Sequence, residues 1–379
     1  MALDVEGIRS EFPVTQEYIY MNHAGVAPIS ESVSGAMERI LKDVKRNGMV
    51  NSSLWEETYF RTRKSAGKLV GSKASEIAFV KNTTEGILFV ANGLKWRAGD
   101  NVIITSRGFP ANVYPWLNLN SRDIETRWAP EVEGRIPISG ILDLVDERTR
   151  LIALSSVEFA SGFRHDLKAI GEFCSERGIL FFVDAIQSLG VLNLDVAECH
   201  IDFLSADAHK WLLGPEGTGI FFCSEKALDD LKVVNLGWAS VINPGDYLNY
   251  DATLLPDARR FESGTLNTSG ICGLEAGLEL IHRIGITEIE RRVLGLTDRL
   301  VKGLEGLGYQ LVSSRLPAEK SGIVSFRHVK NPPEETNNLF QDNQVIGAVR
   351  GGFVRLSPHY YNTEEEVDFV LGLLADHAN

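Results

Sequence analysis

Short runs of apolar and β-branched residues recur along the chain, at Ile77–Val80, Asn101–Thr105, Leu151–Ser155, Ile179–Asp184, Asp202–Ala206 and Gly219–Cys223. They are continuous rather than alternating, as strands buried on both faces are. Segments of helical character lie between several of them, for example Glu85–Leu94 and Leu167–Arg177. Strands alternating with helices predict an α/β fold with a mostly parallel sheet covered on both sides. Near Gly270 the pattern changes. A long helix is predicted from there to Ile284, and a second opens at Thr287 with Glu290 three residues on, a capping-box spacing. Thr363 and Glu366 repeat that spacing before the last helix. The expected organisation is an N-terminal arm (1–20), a large unit (21–268) and a smaller α+β unit (269–379), with the arm free to pack on either.

The 379 residues fit about two domains. With 44% hydrophobic and 23% charged residues, the composition is that of a soluble globular protein. A net charge of −13 supplies no overall positive field, which disfavours nucleic acid or an anionic membrane as partner. A local cationic pocket stays open. The four cysteines, Cys174, Cys199, Cys223 and Cys272, form neither a CxxC pair nor a metal-ligand spacing. Cys174 and Cys223 read as core residues, and reduced thiols in the cytosol are the simpler reading. The opening MALDVEGIRSEF has no apolar signal core. No apolar run approaches the roughly 18 residues of a membrane span. A cytoplasmic protein is expected.

Candidate chemistry concentrates between Ile179 and Cys223. Asp184 ends an apolar strand, where open α/β sheets place their ligands. A carboxylate is costly to bury there unless it meets a cation. Lys210 follows a second strand, between His209 and Trp211. Loss of hydration favours its neutral, nucleophilic amine. An amine and a carboxylate on neighbouring strand ends suit pyridoxal 5′-phosphate (PLP), the lysine binding it covalently and the aspartate pairing with its ring nitrogen. Taken alone, the two residues fit a structural ion pair more simply. Lys81–Gly86 (KNTTEG) follows a strand and opens a helix, so its N–H groups and hydroxyls can hold an anion. N-capping by Thr83 or Thr84 is the plainer alternative. The glycines of GPEGTG match neither a phosphate loop nor a dinucleotide fingerprint and read as a tight turn.

Together these segments resemble the class V aminotransferases, a family of fold type I PLP enzymes that includes cysteine desulfurases, kynureninase and isopenicillin N epimerase. The resemblance runs from YMNHAGVAP (Tyr20–Pro28) to VRLSPHYYNTEEEVD (Val354–Asp368), and VDAIQSLG…SADAHKWLLGPEGTG is its most specific stretch. It implies a PLP-dependent transferase fold type I with a large sheet domain and a smaller C-terminal α+β domain. It makes Lys210 the Schiff-base lysine, Asp184 the partner of the ring nitrogen and Gln187 the donor to the ring's 3′ oxygen. Thr84, with Thr83 beside it, and His209 become phosphate contacts. Phe109 takes the position stacked on the ring, and Arg355 grips the substrate carboxylate. Gly264 and Thr265 match a loop that reaches the neighbouring subunit's phosphate, implying a homodimer. Asn22 and His23 resemble a segment approaching the active site, though a turn role suits them equally. Singly, Phe109 would read as core, Arg355 as a surface ion pair and His209 as a satisfied polar histidine.

Three departures narrow the expected reaction. Desulfurases carry a nucleophilic cysteine shortly before the substrate arginine, whereas NQVIGAVRGGFVRLSP holds none. Desulfurases stack a histidine on the ring, whereas Phe109 cannot move protons and resembles kynureninase here. Asp207 stands where a small hydroxyl residue is often found, and an aspartate beside a phosphate is repulsive unless it turns away or binds another group. The expectation is a PLP enzyme acting at Cα or Cβ of a small amino acid, with Lys210 as general base. β-Elimination of a group such as sulfur is the first choice, and transamination or epimerisation the alternative. A non-catalytic PLP-binding protein would have no use for both Lys210–Asp184 and Arg355.

Overall fold

The computed structural model describes residues 4–378. Residues 1–3 of the expected arm and Asn379 of the C-terminal unit lie outside the described residues. The arm contributes strand β1 (Ile19–Tyr20). The large sheet follows, with β2 (Ile77–Val80), β3 (Asn101–Thr105), β4 (Glu125–Ala129), β5 (Thr149–Ser155), β6 (Leu180–Asp184), β7 (Phe203–Asp207) and β8 (Gly219–Cys223). Their order across the sheet is β2-β8-β7-β6-β5-β3-β4. All neighbouring pairs are parallel except those of β8, which runs against both β2 and β7.

The apolar runs form these strands because both faces are covered. Along β6, Phe181 and Val183 enter one core while Leu180 and Phe182 enter the other. Helix Thr268–Ile284 supplies Ile271, Leu274, Leu278 and Ile281 to the first core. Helix Thr83–Gly93 supplies Ile87 and Val90 to the second. β4 is the one strand of this sheet that the apolar runs do not announce. It lies at the sheet edge, and its side chains are largely exposed or half-buried.

The remaining strands are β9 (Gln310–Leu311), β10 (Val324–Arg327), β11 (Val345–Ile346), β12 (Ala348–Arg350) and β13 (Phe353–Leu356). β12, β13, β10 and β9 make an antiparallel sheet in that order, with its own core around Leu300, Phe326, Phe340, Leu356 and Val370. The arm joins this smaller sheet's side. β1 pairs in parallel with β11, and Met21 enters the same core.

Two helix starts differ from the sequence reading. Helix Thr83–Gly93 is capped by Asn82, whose Oδ1 accepts the N–H of Glu85 at 2.9 Å, and not by Thr83 or Thr84. Both threonines lie inside the first turn, so neither hydroxyl serves as the cap. Helix Ile286–Gly306 begins directly after Gly285, at φ 91°, with no side-chain cap. Thr287 and Glu290 form no capping box there. Glu290 turns instead to Arg164, at 2.7 Å, and to the N–H of Asn193. The expected box at Thr363 and Glu366 does form.

Candidate active site

The connections leaving the C-terminal ends of β2, β3, β5, β6 and β7 converge on one cavity of about 440 Å³. An open α/β sheet presents ligands there, because strand ends leave backbone groups and helix N-termini unpaired. The lining includes Asn22, Thr83, Thr84, Phe109, Asp184, Gln187, His209, Lys210 and Arg355.

Lys210 lies on the loop between β7 and β8 and is buried. Burial pulls its amine down to about 8, against the opposing field of Asp184. Its Nζ sits 5.5 Å from the centroid of the Phe109 ring. Phe109 packs edge-on against Phe159 and keeps 42% of its surface exposed, so one side is open to the cavity. Asp184, the last residue of β6, is 1% exposed. Its Oδ1 accepts the N–H of Ile186, and burial pushes the carboxyl up to about 6. Gln187 donates one amide proton to the Ala24 carbonyl and accepts from Trp211 Nε1. The other amide proton is uncommitted.

Thr83 Oγ1 accepts the N–H of Asp207, while Thr84 faces the cavity at the helix start. His209 lies 3.4 Å from Asp207 Oδ2, and burial lowers its pKa. Asp207 Oδ1 is buried with no partner, and burial, then Asp184, lifts this carboxyl to about 7.

Arg355 on β13 is 1% exposed. Its Nη1 donates to the Phe159 carbonyl and its Nη2 to Asn22 Oδ1, while Nε is buried without a partner. No acid pairs with it among the described residues. A buried guanidinium lacking a carboxylate is costly, and such a group can receive one from a ligand.

Two groups of residues lie elsewhere. His23 is fully buried behind Asn22, donating to the Ser357 carbonyl and accepting from the Tyr361 hydroxyl, and is not among the lining side chains. Burial lowers it to about 4, so it stays neutral near pH 7. Gly264 and Thr265 line a separate small cavity of about 80 Å³ with Lys81 and Glu85. Within this chain they do not join the others. The structure also adds residues that the motifs did not suggest. Phe159, Ile186 and Arg350 line the main cavity. Of these, Arg350 carried a readable signal, a second arginine five residues before Arg355.

An amine, a buried carboxylate and an unpaired arginine, gathered where parallel strands end, define a PLP-dependent enzyme of fold type I. The chain belongs to the aminotransferase class-V family, whose pattern matches residues 19–370. It is 32% identical to a probable cysteine desulfurase of Methanothermobacter thermautotrophicus, over 96% of each chain. It superimposes on a cysteine desulfurase of Thermococcus onnurineus with a TM-score of 0.92 and 28% identity, covering 100% of this chain and 98% of that one. It shares its fold with the cystine C-S lyase C-DES, at a TM-score of 0.88 and 23% identity over 96% and 99% of the two chains.

PLP is the cofactor, and the residues fit it. Burial brings the amine down to about 8, so its neutral form is within reach, the buried Asp184 lacks a cation as close partner, and Thr84, His209 and the first N–H groups of the helix can hold a phosphate. The one misfit, Asp207, is eased by the same burial that keeps its carboxyl largely protonated below pH 7, where it can donate to an anion.

Proposed function

We propose that this enzyme is a cysteine-independent C–S lyase acting on a small amino acid with sulfur at Cβ. Bound PLP supplies an electron sink that acidifies the Cα proton of the amino acid it carries. Lys210 holds the cofactor and then, as a neutral amine, removes that proton. Arg355, steadied by the Phe159 carbonyl and Asn22, holds the α-carboxylate. Asp184 would hold a positive charge at the ring nitrogen, and Phe109 would lie against the ring. Sulfur departs with the electrons of the C–S bond and takes up a proton, and water hydrolyses the remaining unsaturated amine to pyruvate and ammonia. By the family likeness, Gly264 and Thr265 complete the site of a second copy, so the working species is a homodimer. Free thiols at all four cysteines suit a reducing, cytosolic setting.

The observation that carries this reading is where the sulfurs sit. Cys174 and Cys223 are buried, Cys199 and Cys272 are half-buried, and none lines the cavity. Burial raises every one of the four thiols, to about 12 for Cys174 and about 11 for Cys199. None is poised as the thiolate that takes up sulfur.

The expected products from cysteine or cystine are pyruvate, ammonia and sulfide or a persulfide, with turnover largely kept when each cysteine in turn is replaced by alanine. Alanine as product, or one folded, PLP-loaded cysteine variant without turnover, rejects the lyase. A 2-oxo acid retaining its side chain, with cofactor in the pyridoxamine form, makes the enzyme an aminotransferase.

A further inference from the structure

The consecutive backbone carbonyls from Phe159 to Gly162 each accept a hydrogen bond from a different side chain around the smaller sheet. Arg355 Nη1 holds Phe159, Ser325 Oγ holds Ala160, Ser313 Oγ holds Ser161 and Ser321 Oγ holds Gly162. The serines are buried. They come from separate places: Ser313 follows β9, Ser321 precedes β10 and Ser325 lies within it. The register sets Ser325 opposite Arg355. Cross-strand partners share a face, with Cβ atoms about 5 Å apart. The two side chains can therefore reach neighbouring carbonyls of one turn.

Two of the hydroxyls are aimed. Ser313 Oγ accepts the Ser325 N–H at 2.8 Å and Ser321 Oγ accepts the Ile323 N–H at 3.2 Å, which leaves each hydroxyl proton for the turn. The turn is tied within itself as well. Val157 bridges to Arg164, the Glu158 N–H donates to the Phe163 carbonyl, and the Gly162 N–H donates to the Glu158 carbonyl. The Glu158 carboxylate and His165 Nε2, both buried, lie 3.0 Å apart. Gly162 sits at φ 73°, and a Cβ there would stand 2.7 Å from the Ile323 carbonyl oxygen, so glycine is what lets the approach to β10 come so close.

What depends on this turn is Arg355. Its firm contact is the Phe159 carbonyl at 2.7 Å, while the one to Asn22 Oδ1 is long at 3.4 Å. A bidentate grip on a carboxylate requires the planar guanidinium at a set angle. Displacing the Phe159 carbonyl turns that plane. We propose that Ser313, Ser321 and Ser325 are positioning residues of the amino-acid site, fixing the Phe159 carbonyl and, through it, the fork of Arg355. The inference rests on the carboxylate role proposed for Arg355 above and adds what aims it.

Calorimetry on the PLP-loaded enzyme compares propionate, a carboxylate with no amine to react, with propionamide, of the same shape and uncharged. The native enzyme should favour the acid on the order of tenfold, as a charge-assisted fork gives. Ser325→Ala leaves the guanidinium in place and should cut that preference about fivefold, the value of one lost hydrogen bond. Propionamide binding and PLP content should not change. In turnover the loss should fall on KM more than on kcat. A double-mutant cycle with Arg355→Gln separates aiming from general loosening: a serine that acts through Arg355 has nothing further to lose in that background. A Ser325→Ala enzyme that is less stable yet keeps the native preference overturns the proposal, the serines then serving only to satisfy buried carbonyls. So does an equal loss for acid and amide, or a loss that persists undiminished beside Arg355→Gln. Ser321→Ala, at the far end of the turn, carries the same test should Ser325→Ala not fold. If the native enzyme binds acid and amide equally, the carboxylate role of Arg355 fails and takes this inference with it.

Discussion

At Asp184 the cost of burial and the use of the charge are the same fact. Its carboxyl sits at about 6 in the fold against an ordinary 3.8, so the folded chain holds the proton more tightly than the unfolded one. That contribution is fully present below pH 4 and is lost as pH rises through 6. By neutrality, about 2 pKa units correspond to roughly 3 kcal/mol given up in the cofactor-free chain. Asparagine keeps the acceptor for the Ile186 N–H and has nothing to ionise. The cofactor-free Asp184→Asn chain should therefore gain stability relative to the native chain between pH 4 and 7, by up to about that amount, while the PLP-loaded variant loses turnover by orders of magnitude. Urea midpoints across that pH range check the first part, and a pH-independent difference between the two chains refutes the burial account. Such residues are legible in sequence because a charge at the end of an apolar run is costly without a purpose. His23 is a contrary case. Beside Asn22 in sequence it looks like a site residue, yet its ring is consumed by Ser357 and Tyr361, more than 300 positions away. For Arg350 the one local signal is its place five residues before Arg355, and nothing else separates an arginine facing a cavity from one facing water.

At the scale of elements, the two Thr-x-x-Glu spacings behave differently for a reason outside either segment. At Thr363, the Oγ1 accepts the Glu366 N–H at 3.2 Å, and Glu366 Oε2 accepts the Thr363 N–H at 3.0 Å. Glu366 also takes the Asn362 amide and pairs with Arg9, so this cap ties the arm to the last helix. At Thr287 the preceding helix ends one residue before the next begins, leaving no extended N-cap position, and Glu290 is drawn to Arg164 and Asn193. Thr363→Ala should cost about 1 kcal/mol, the usual value of an N-cap. Thr287→Ala should stay within about 0.5 kcal/mol, as ordinary surface changes do. Denaturant unfolding of both variants tests the contrast, and equal losses would reject it. The strands show the same division. Six were readable because both faces are buried and the apolar run is continuous. β4 was not, since ETRWA sits on the sheet edge with only Ala129 buried and its pairing comes from β3 alone.

At the scale of the molecule, two parts of the expected site lie apart within one chain. Thr84, His209 and the helix start lie in the main cavity, while Gly264 and Thr265 line a different one with which it shares no residue. The sequence likeness gives that loop a role in a neighbour's site, and large apolar side chains on two segments remain uncovered. Met49, Val50, Leu54 and Phe60 lie around the first, and Trp238, Tyr247, Leu248 and Tyr250 on the second. Exposed apolar groups in such numbers mark an interaction surface more often than plain solvent contact. If the loop acts across an interface, defects in the two parts should complement. Lys210→Ala disables a chain's own cavity but leaves its loop intact. Thr265→Glu sets a carboxylate against the neighbour's phosphate while leaving its own cavity sound. Each variant alone should be nearly inactive. Unfolded together and refolded as a mixture, they form some dimers in which the Thr265→Glu chain's cavity is completed by the Lys210→Ala chain's normal loop. Activity should return in that fraction, well above the sum of the two, and should sediment as a dimer. If Thr265 served its own chain, each chain in the mixture would carry one defect in its own site, and mixing would restore nothing.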